Sequence, residues 1–178
     1  MYKRQGQNIA LDANGGVVTG VTSTRVDTNV TWDVHHVIDG KLTSGWQSGP
    51  GQISNQIITL SFAGSSVFHI YGIVIDPAAT GKEPASDDLK AFTVQVSQHG
   101  SAYTTVFTGQ TSERAALQRF TFSGSHDADH VQVILQSNWG GPDGIAVSEI
   151  EVVGASDKGP VGSPLPTPTP TVLSLIHI

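Results

Sequence analysis

The sequence predicts an all-β domain, a sandwich or jelly roll, on three observations. Apolar residues recur with a period of two rather than about 3.6, as they do in strands with one buried face. Short segments rich in Gly, Ser and Asn separate these runs, with no helical interludes between them. Only 13% of the residues are charged and 20 are Gly, a composition that suits strands and turns better than helices.

Seven strands are predicted in chain order. The second is long and nearly all apolar, so we expect it to be buried on both faces. In the third, strict alternation directs Phe92, Val94 and Val96 inward, and a turn then leads into the fourth strand as a hairpin. The one helical possibility, Ser112–Leu117, is too short to be stable. The predicted strands are Ile57–Phe62, Val67–Ile75, Phe92–Ser97, Tyr103–Thr108, Leu117–Phe122, Val131–Leu135 and Ile145–Val153.

Two long connections break the regular spacing of the predicted strands. The first runs from about Thr28 to Asn55, and the second runs from Asp76 to Lys90. Long connections in a compact domain are usually functional or mobile, so we expect any binding site to lie there.

The folded domain is predicted to span residues 8–154. Residues 155–172 are rich in Pro and Thr, and their alternation favours an extended linker between modules. Residues 1–7 are predicted to be a non-native head and a lead-in to the domain, and residues 1–5 and 173–178 match no structural element. Back-translated, the two ends contain reverse-complementary strings that resemble a transposon end used in sequencing libraries. We therefore expect both ends to be non-native and the sequence to be a fragment of a longer reading frame, which leaves its export signal undetermined.

Composition and charge exclude several classes of partner and site. The net charge is −6 and Lys and Arg form no cluster, which argues against a nucleic-acid partner. Mild acidity is compatible with a cation site or a neutral ligand. Without Cys the chain has neither disulfides nor thiolate metal sites. No apolar run approaches the roughly 20 residues of a membrane span.

The stretch from His36 to Trp46 contains an Asp39-Gly40 turn with several oxygen-bearing groups. Gly tolerates a positive φ, and Asp can accept hydrogen bonds from its own downstream backbone. A tight turn with a carboxylate, hydroxyls and exposed carbonyls can coordinate calcium, which takes about six to eight oxygen ligands. By itself the stretch fits an ordinary Asx turn better than a calcium site.

A second stretch, from Gln136 to Gly144, leads into an apolar strand that ends at Gly154. Taken with the Asp39-Gly40 turn, it resembles the coagulation factor five/eight type C, or discoidin, domain and its relative, the family 32 carbohydrate-binding module. The order and spacing of several segments between Asn8 and Gly154 carry the resemblance. These segments are Asn8–Ala10, Ile38–Gly40 with Trp46, Ile58–Phe62, Phe92–Ser97, Ala128–Leu135, Ser137–Asn138 and Ser148–Val152.

The resemblance implies a jelly-roll β-sandwich of the galactose-binding-domain-like fold. It also implies a structural calcium ion where the early turn meets the last strand, with Ser44 standing where the family usually has Thr. In such domains the residue at Trp46 is usually part of the core. The implied metal ligands are the side chains of Asp39, Ser44 and Glu149, completed by carbonyls near His36 and Lys41.

The resemblance further implies a ligand site in the loops at one end of the sandwich. Sugar recognition needs an aromatic face for the apolar side of the ring and polar groups for the hydroxyls. Trp139 stands near where sugar-binding relatives often present an aromatic; alternatively, it covers an edge of the core. The loop Asp76–Lys90 lacks the Arg and Asn that galactose-binding relatives often carry, so galactose specificity is not expected. The candidate ligand-binding residues are Trp139, Asn138, Trp32, Asp33, His35 and Lys82.

No motif supplies the chemistry of an enzyme. A hydrolase needs a nucleophile or a metal-bound water with an oxyanion donor, and no motif provides them. In an extended chain, Asp33 and His35 would share one face and His36 would point away, which leaves a transition metal without a third well-spaced ligand. We therefore expect no catalytic residues.

These observations predict a non-catalytic carbohydrate-binding module for adhesion or targeting, one monomeric domain of a larger extracellular protein. Its partner would be a glycan or another cell-surface ligand, with a membrane surface less favoured. Two alternatives remain open. One is a discoidin-type domain that adheres to protein or phospholipid through apolar loop tips, and the other is an accessory domain that stabilises a missing catalytic module.

Overall fold

The computed structural model describes residues 6–78, 83–113 and 116–156, which form two packed antiparallel sheets. The strands are β1 (Gln7–Asn8), β2 (Val17–Val21), β3 (Trp46–Gln47), β4 (Gln56–Ser61), β5 (Phe68–Asp76), β6 (Leu89–Ser97), β7 (Thr104–Gln110), β8 (Gln118–Ala128), β9 (His130–Asn138), β10 (Ala146–Val147) and β11 (Glu149–Ala155). One sheet has the order β1-β11-β5-β8 and the other has the order β2-β4-β9-β6-β7. A separate pair joins β3 to β10. The predicted all-β sandwich is confirmed.

The core lies between the two sheets and follows the alternation of the sequence. Phe92, Val94 and Val96 are all buried, as their spacing predicts. The second half of β5 is buried on both faces, whereas its first half alternates between buried and half-buried residues. Each large apolar side chain removed from water stabilises the fold by roughly 1.5–3 kcal/mol. The packed sheets therefore fix the positions of the strand ends from which the loops extend.

All seven predicted strands are present, and several differ in extent. β6 begins earlier, at Leu89, and β9 continues to Asn138. β8 continues to Ala128, and the predicted strand Ile145–Val153 is divided at Ser148 between β10 and β11. Four short strands, β1, β2, β3 and β10, were not resolved as separate elements by the sequence pattern. β2 is an edge strand whose residues alternate only between half-buried and exposed, so its apolar periodicity is weak.

The described residues contain four short 3-10 helices and no α-helix. One of them, Val34–Ile38, corrects the expectation of an extended chain around Asp33. The Asp33 carboxylate accepts the His35 N–H at 2.9 Å and caps this helix. Asp33 and His35 are therefore brought together by a helical cap rather than by strand alternation. No helix in the described part of the chain is long and apolar enough to cross a membrane.

One end of the sandwich, here called the loop end, gathers the long connections. There β5 and β9 end, and β4, β6 and β11 begin. Asp76 pairs with Glu149 at this end of the first sheet, and Leu89 pairs with Asn138 at this end of the second. The two sheets thus bring the Asp39-Gly40 turn, the described parts of the second connection (residues 77–78 and 83–88) and the 139–144 loop to one surface.

Candidate binding site at the loop end

The loop from Trp139 to Gly144 is held from inside by the side chain of Asn138. The Asn138 carbonyl oxygen accepts the Gly140 N–H at 2.9 Å. Its amide nitrogen donates to the carbonyl oxygens of Gly141 at 2.8 Å and Gly144 at 2.6 Å. Asn138 is buried, so its amide serves the backbone of the loop rather than facing solvent.

A second side chain, Asp87, fastens the same loop to the neighbouring connection. Asp87 is fully buried; its carboxylate accepts the backbone N–H of Asp143, and its Oδ2 accepts the Gln47 side-chain amide at 3.0 Å. Gly141 donates its N–H to the Ser86 carbonyl at 2.9 Å, and a Cβ on Gly141 would overlap Asp87 Oδ1. The approach of the two loops therefore requires glycine at this position.

The contacts of Asn138 and Asp87 leave the indole of Trp139 partly exposed at the loop end. Its ring nitrogen is buried and has no hydrogen-bond partner among the described residues. The ammonium group of Lys90 lies 4.7 Å from the centroid of the ring, which is a cation–π distance. Trp139 therefore combines an accessible apolar surface with an adjacent positive charge.

Trp32, the other predicted aromatic, lies in a different environment. Only 7% of it is exposed, and it packs with Ala146 and the half-buried Val30. The Arg25 guanidinium lies 6.0 Å from its ring centroid, donates to Gln47 Oε1 at 3.0 Å and approaches Asp143 to 3.9 Å. Trp32 is therefore buried in the interior of the loop end, with the Arg25 guanidinium over its ring.

The remaining predicted ligand residues differ in their exposure. The side chains of Asp33 and His35 are 48% and 67% exposed, and Asp33 Oδ1 lies 2.8 Å from His35 Nδ1. The hydrogen bond from the His35 N–H is the largest cause that lowers the pKa of Asp33. Lys82 lies outside the described residues. Its predicted role, like those of the others, stays a prediction.

The Asp39-Gly40 turn meets the first residue of β11. Asp39 Oδ1 accepts the Lys41 N–H at 2.8 Å, and Asp39 Oδ2 accepts the Ser44 hydroxyl at 3.1 Å. The Gly40 N–H donates to Glu149 Oε2 at 3.2 Å, and Gly40 has the positive φ of 75° that favours glycine. Three side chains predicted as metal ligands thus lie at the junction of one turn and one strand.

His36 and Trp46 belong to the frame of this turn. The His36 carbonyl accepts the Asp39 N–H at 3.4 Å, and its ring Nδ1 lies 3.3 Å from the Gly45 carbonyl oxygen. Trp46 is fully buried, as the resemblance implied, and its indole N–H donates to the Ser23 carbonyl at 3.1 Å.

Glu149 is a buried carboxylate with an unsatisfied oxygen. It is 1% exposed, and its Oε1 has no hydrogen-bond partner among the described residues. Burial, and then the negative charges of Asp39, Glu151 and Asp76, raise the pKa of Glu149 from 4.5 to about 8, against the opposing Gly40 hydrogen bond. An unpaired buried oxygen of this kind is what a bound cation would satisfy.

Whether calcium fits this junction depends on more than carboxylates. Within residues 6–78, 83–113 and 116–156, no group of three or more His, Cys, Asp or Glu side chains is placed to hold a metal ion. The donor set of Asp39, Ser44 and Glu149 offers two carboxylates and a hydroxyl, so a hard cation would need backbone oxygens as well. All these donors are oxygens, which fits calcium rather than a transition metal.

Three more buried carboxylates, Asp76, Asp87 and Asp88, line the junction between the connections of the two sheets. Burial is the largest cause that raises the pKa of each, and it raises the pKa of Asp88 to about 7 with help from the charge of Glu83. Asp88 also bridges to Ala146 through the backbone. All three are enclosed by the fold; Asp76 accepts the Ala78 N–H at 3.2 Å, and Asp87 accepts the Asp143 N–H.

Sequence reasoning missed Lys90, Arg25 and Gln47 as residues of this end. Each is a single polar residue in an otherwise ordinary strand or connection, and no local motif marks it. Only the approach of β3, β6 and the 139–144 loop reveals them, because their partners lie far away along the chain.

The geometry defines a β-sandwich domain that presents a constrained loop and a partly exposed indole at one end. Over residues 19–150 the chain matches the F5/8 type C domain. It therefore belongs to this family, and the resemblance drawn from its motifs is confirmed.

Solved structures share the fold at low sequence identity. CpGH89CBM32-5 from Clostridium perfringens, in complex with GalNAc-β-1,3-galactose, has a TM-score of 0.66 and 22% identity over 77% of this chain and 94% of its own. The family 32 module from C. perfringens NanJ, in complex with galactose, has a TM-score of 0.66 and 14% identity over 84% and 98%.

A third similar structure is chitosan-binding module 1 of a chitosanase/glucanase from Paenibacillus sp. IK-5, with a TM-score of 0.64 and 24% identity over 84% of this chain and 99% of its own. Comparison by sequence with curated proteins gives no match. At these identities the solved structures establish the fold, and the ligands in their names belong to those proteins.

Proposed function

We propose that this domain is a non-catalytic carbohydrate-binding module of a larger extracellular protein, and that it holds its ligand against Trp139. The observation that carries the proposal is the loop 139–144, which Asn138 and Asp87 fix on both sides while the indole stays partly exposed. An exposed aromatic on a rigid mount loses little conformational entropy when it binds.

The chemistry of the loop end suits a sugar. The face of an indole packs against the apolar C–H face of a pyranose, and polar groups at its rim can bond the hydroxyls. Asp143, whose side chain is 52% exposed, lies in the same loop, and Lys90 lies against the ring. Sugar complexes and a chitosan-binding module among the structural relatives support this assignment.

A glycan array tests the proposal directly. The wild-type domain should bind a discrete set of glycans, and Trp139→Ala should abolish that binding while leaving the melting temperature within a few degrees. Val67→Ala, a change of an exposed residue just before β5, serves as the control and should bind as the wild type does. An array on which the wild type binds nothing would remove the carbohydrate proposal.

We further propose that calcium pins the Asp39-Gly40 turn to β11 as a structural ion. The unpartnered Glu149 Oε1 and the adjacent Asp39 and Ser44 side chains support this role, with carbonyls near His36 and Lys41 as further donors. An ion that binds only the folded state at 100 times its dissociation constant stabilises it by about 2.7 kcal/mol.

Thermal melting with calcium and with a chelator tests the site. We expect a difference of several degrees in the wild-type domain and none in Asp39→Ala. Equal melting temperatures of the wild-type domain under both conditions would refute the calcium site and leave the sugar proposal untouched.

Adhesion to a lipid surface is the second candidate function, because apolar residues are exposed in connections near the loop end. Val26 is 92% exposed, Leu42 is 49% exposed and Ile53 is 42% exposed. The net charge of −6 disfavours an anionic membrane. Sedimentation with neutral and anionic liposomes separates the two candidates: a sugar-binding module stays in the supernatant with both.

A further inference from the structure

Lys90 occupies an irregular position in β6, next to the proposed sugar-binding aromatic. In the pairing with β9, Leu89 lies opposite Asn138 and Ala91 lies opposite Ser137, so Lys90 is an extra residue with no partner in the register. Such a bulge re-aims a side chain, and bulges are frequent beside functional sites. Here the bulge brings the Lys90 ammonium to 4.7 Å from the centroid of the Trp139 ring.

The positive charge of Lys90 is not matched by a nearby carboxylate. Among the described residues, no Asp or Glu oxygen lies within 4.0 Å of the Lys90 ammonium, whereas Asp143 lies 3.9 Å from Arg25. Asp87 and Asp88 are close in sequence, but both are buried. Lys90 therefore brings a positive charge to the Trp139 ring without an ion-pair partner among the described residues, although the whole chain is acidic.

We propose, on the basis of the carbohydrate-binding function above, that the site selects glycans whose stacked sugar carries a carboxylate, and that Lys90 reads this group. A neutral sugar that stacks on the indole offers the ammonium only hydroxyls. A uronic acid or another carboxylated sugar offers the ammonium a charged acceptor beside the same ring. Hydrogen bonds between ionised partners are about twice as strong as neutral ones.

The selection acts at short range. The net charge of −6 opposes the approach of a polyanion, and at physiological salt this repulsion is screened beyond about 8 Å. The preference for an acidic sugar should therefore persist at 150 mM salt.

Titration calorimetry with paired oligosaccharides tests the inference. Trimers of galacturonic acid and mannuronic acid are each compared with the neutral trimer of the same linkage, so that the carboxylate at C6 is the only difference. We expect the wild-type domain to bind at least one acidic trimer about tenfold or more tightly than its neutral partner. Lys90→Met should reduce this ratio to near one, and Lys90→Arg should retain most of it.

Arg119→Met is the matched control, because it removes one exposed positive charge from β8, in the other sheet, and should leave the ratio unchanged. If Lys90→Met misfolds by near-ultraviolet circular dichroism, Lys90→Gln replaces it. The inference is overturned if the wild type binds neutral trimers as tightly as acidic ones, or if the preference survives the loss of Lys90. Either result leaves the carbohydrate proposal standing. Absence of binding to every sugar would overturn both.

Discussion

The substitution Asn138→Asp changes one NH2 group to an oxygen and should destabilise the domain severely. In the native loop this NH2 group donates to the carbonyls of Gly141 and Gly144, at 2.8 and 2.6 Å. An ionised aspartate would place a negative oxygen against both carbonyls, while its other oxygen still accepts the Gly140 N–H. The change therefore removes two hydrogen bonds and adds two repulsive contacts.

The size of the effect follows from burial. Gly141 and Gly144 are both buried, so water cannot replace the lost donor. A buried polar group left unsatisfied costs about 1–3 kcal/mol, which for two carbonyls predicts a loss of roughly 2–6 kcal/mol in the free energy of unfolding. That is a large share of the 5–15 kcal/mol typical of a domain. Protonation would restore one donor, so the loss should shrink as the pH falls towards 5.

Urea denaturation followed by tryptophan fluorescence measures this loss at pH 5 and pH 8. Gln136→Glu, the same exchange at an exposed site two residues earlier in β9, is the control and should change stability by less than about 0.5 kcal/mol. If Asn138→Asp instead keeps wild-type stability and loses only sugar affinity, Asn138 contacts the ligand directly and the proposed mounting of the loop is wrong.

Two further changes test other parts of the loop end. The pKa of Glu149 is raised to about 8, so between pH 5 and pH 8 the folded state without metal holds a proton that the unfolded state releases. In the presence of a chelator, the free energy of unfolding should therefore fall as the pH rises. Glu149→Gln should flatten this slope, as measured by urea titrations at several pH values. Gly141→Ala should weaken glycan binding more than it lowers stability, because the added Cβ would overlap Asp87 Oδ1 and push the Trp139 loop outward. Calorimetry measures the affinity, and an unchanged affinity would show that the loop tolerates the shift.

The sheets could be predicted from the sequence because their signal is local. Alternation in β6 and the apolar run of β5 reflect burial on one face or two, and neither depends on knowing the partner strand. The division of the last strand at Ser148 could not be predicted from this signal. Ile145 to Val153 reads as one strand, yet Val147 pairs with Trp46 while Glu149 pairs with Asp76 in another sheet.

The candidate site could be predicted from the sequence only in part, for the same reason. Asp39 and Glu149 are 110 positions apart, so the family resemblance, and not a local pattern, predicted that they are neighbours. The role of Lys90 depends on a bulge in the register with β9, and the role of Asp87 depends on contacts with two other segments. Bulges and buried polar contacts are tertiary features, so neither leaves a mark on neighbouring residues.

The buried polar atoms that lack a hydrogen-bond partner among the described residues are concentrated at the loop end. Eight buried side-chain atoms lack a hydrogen-bond partner in the described residues, and six of them belong to this end. Each is a group that a water molecule, a cation or a bound ligand would satisfy, because a buried polar group left unpaired costs about 1–3 kcal/mol. Sequences break such local rules mainly at functional sites. The two atoms elsewhere are Tyr71 Oη and His126 Nε2, and those at the loop end come from Trp32, Asp87, Asp88, Trp139, Ser148 and Glu149.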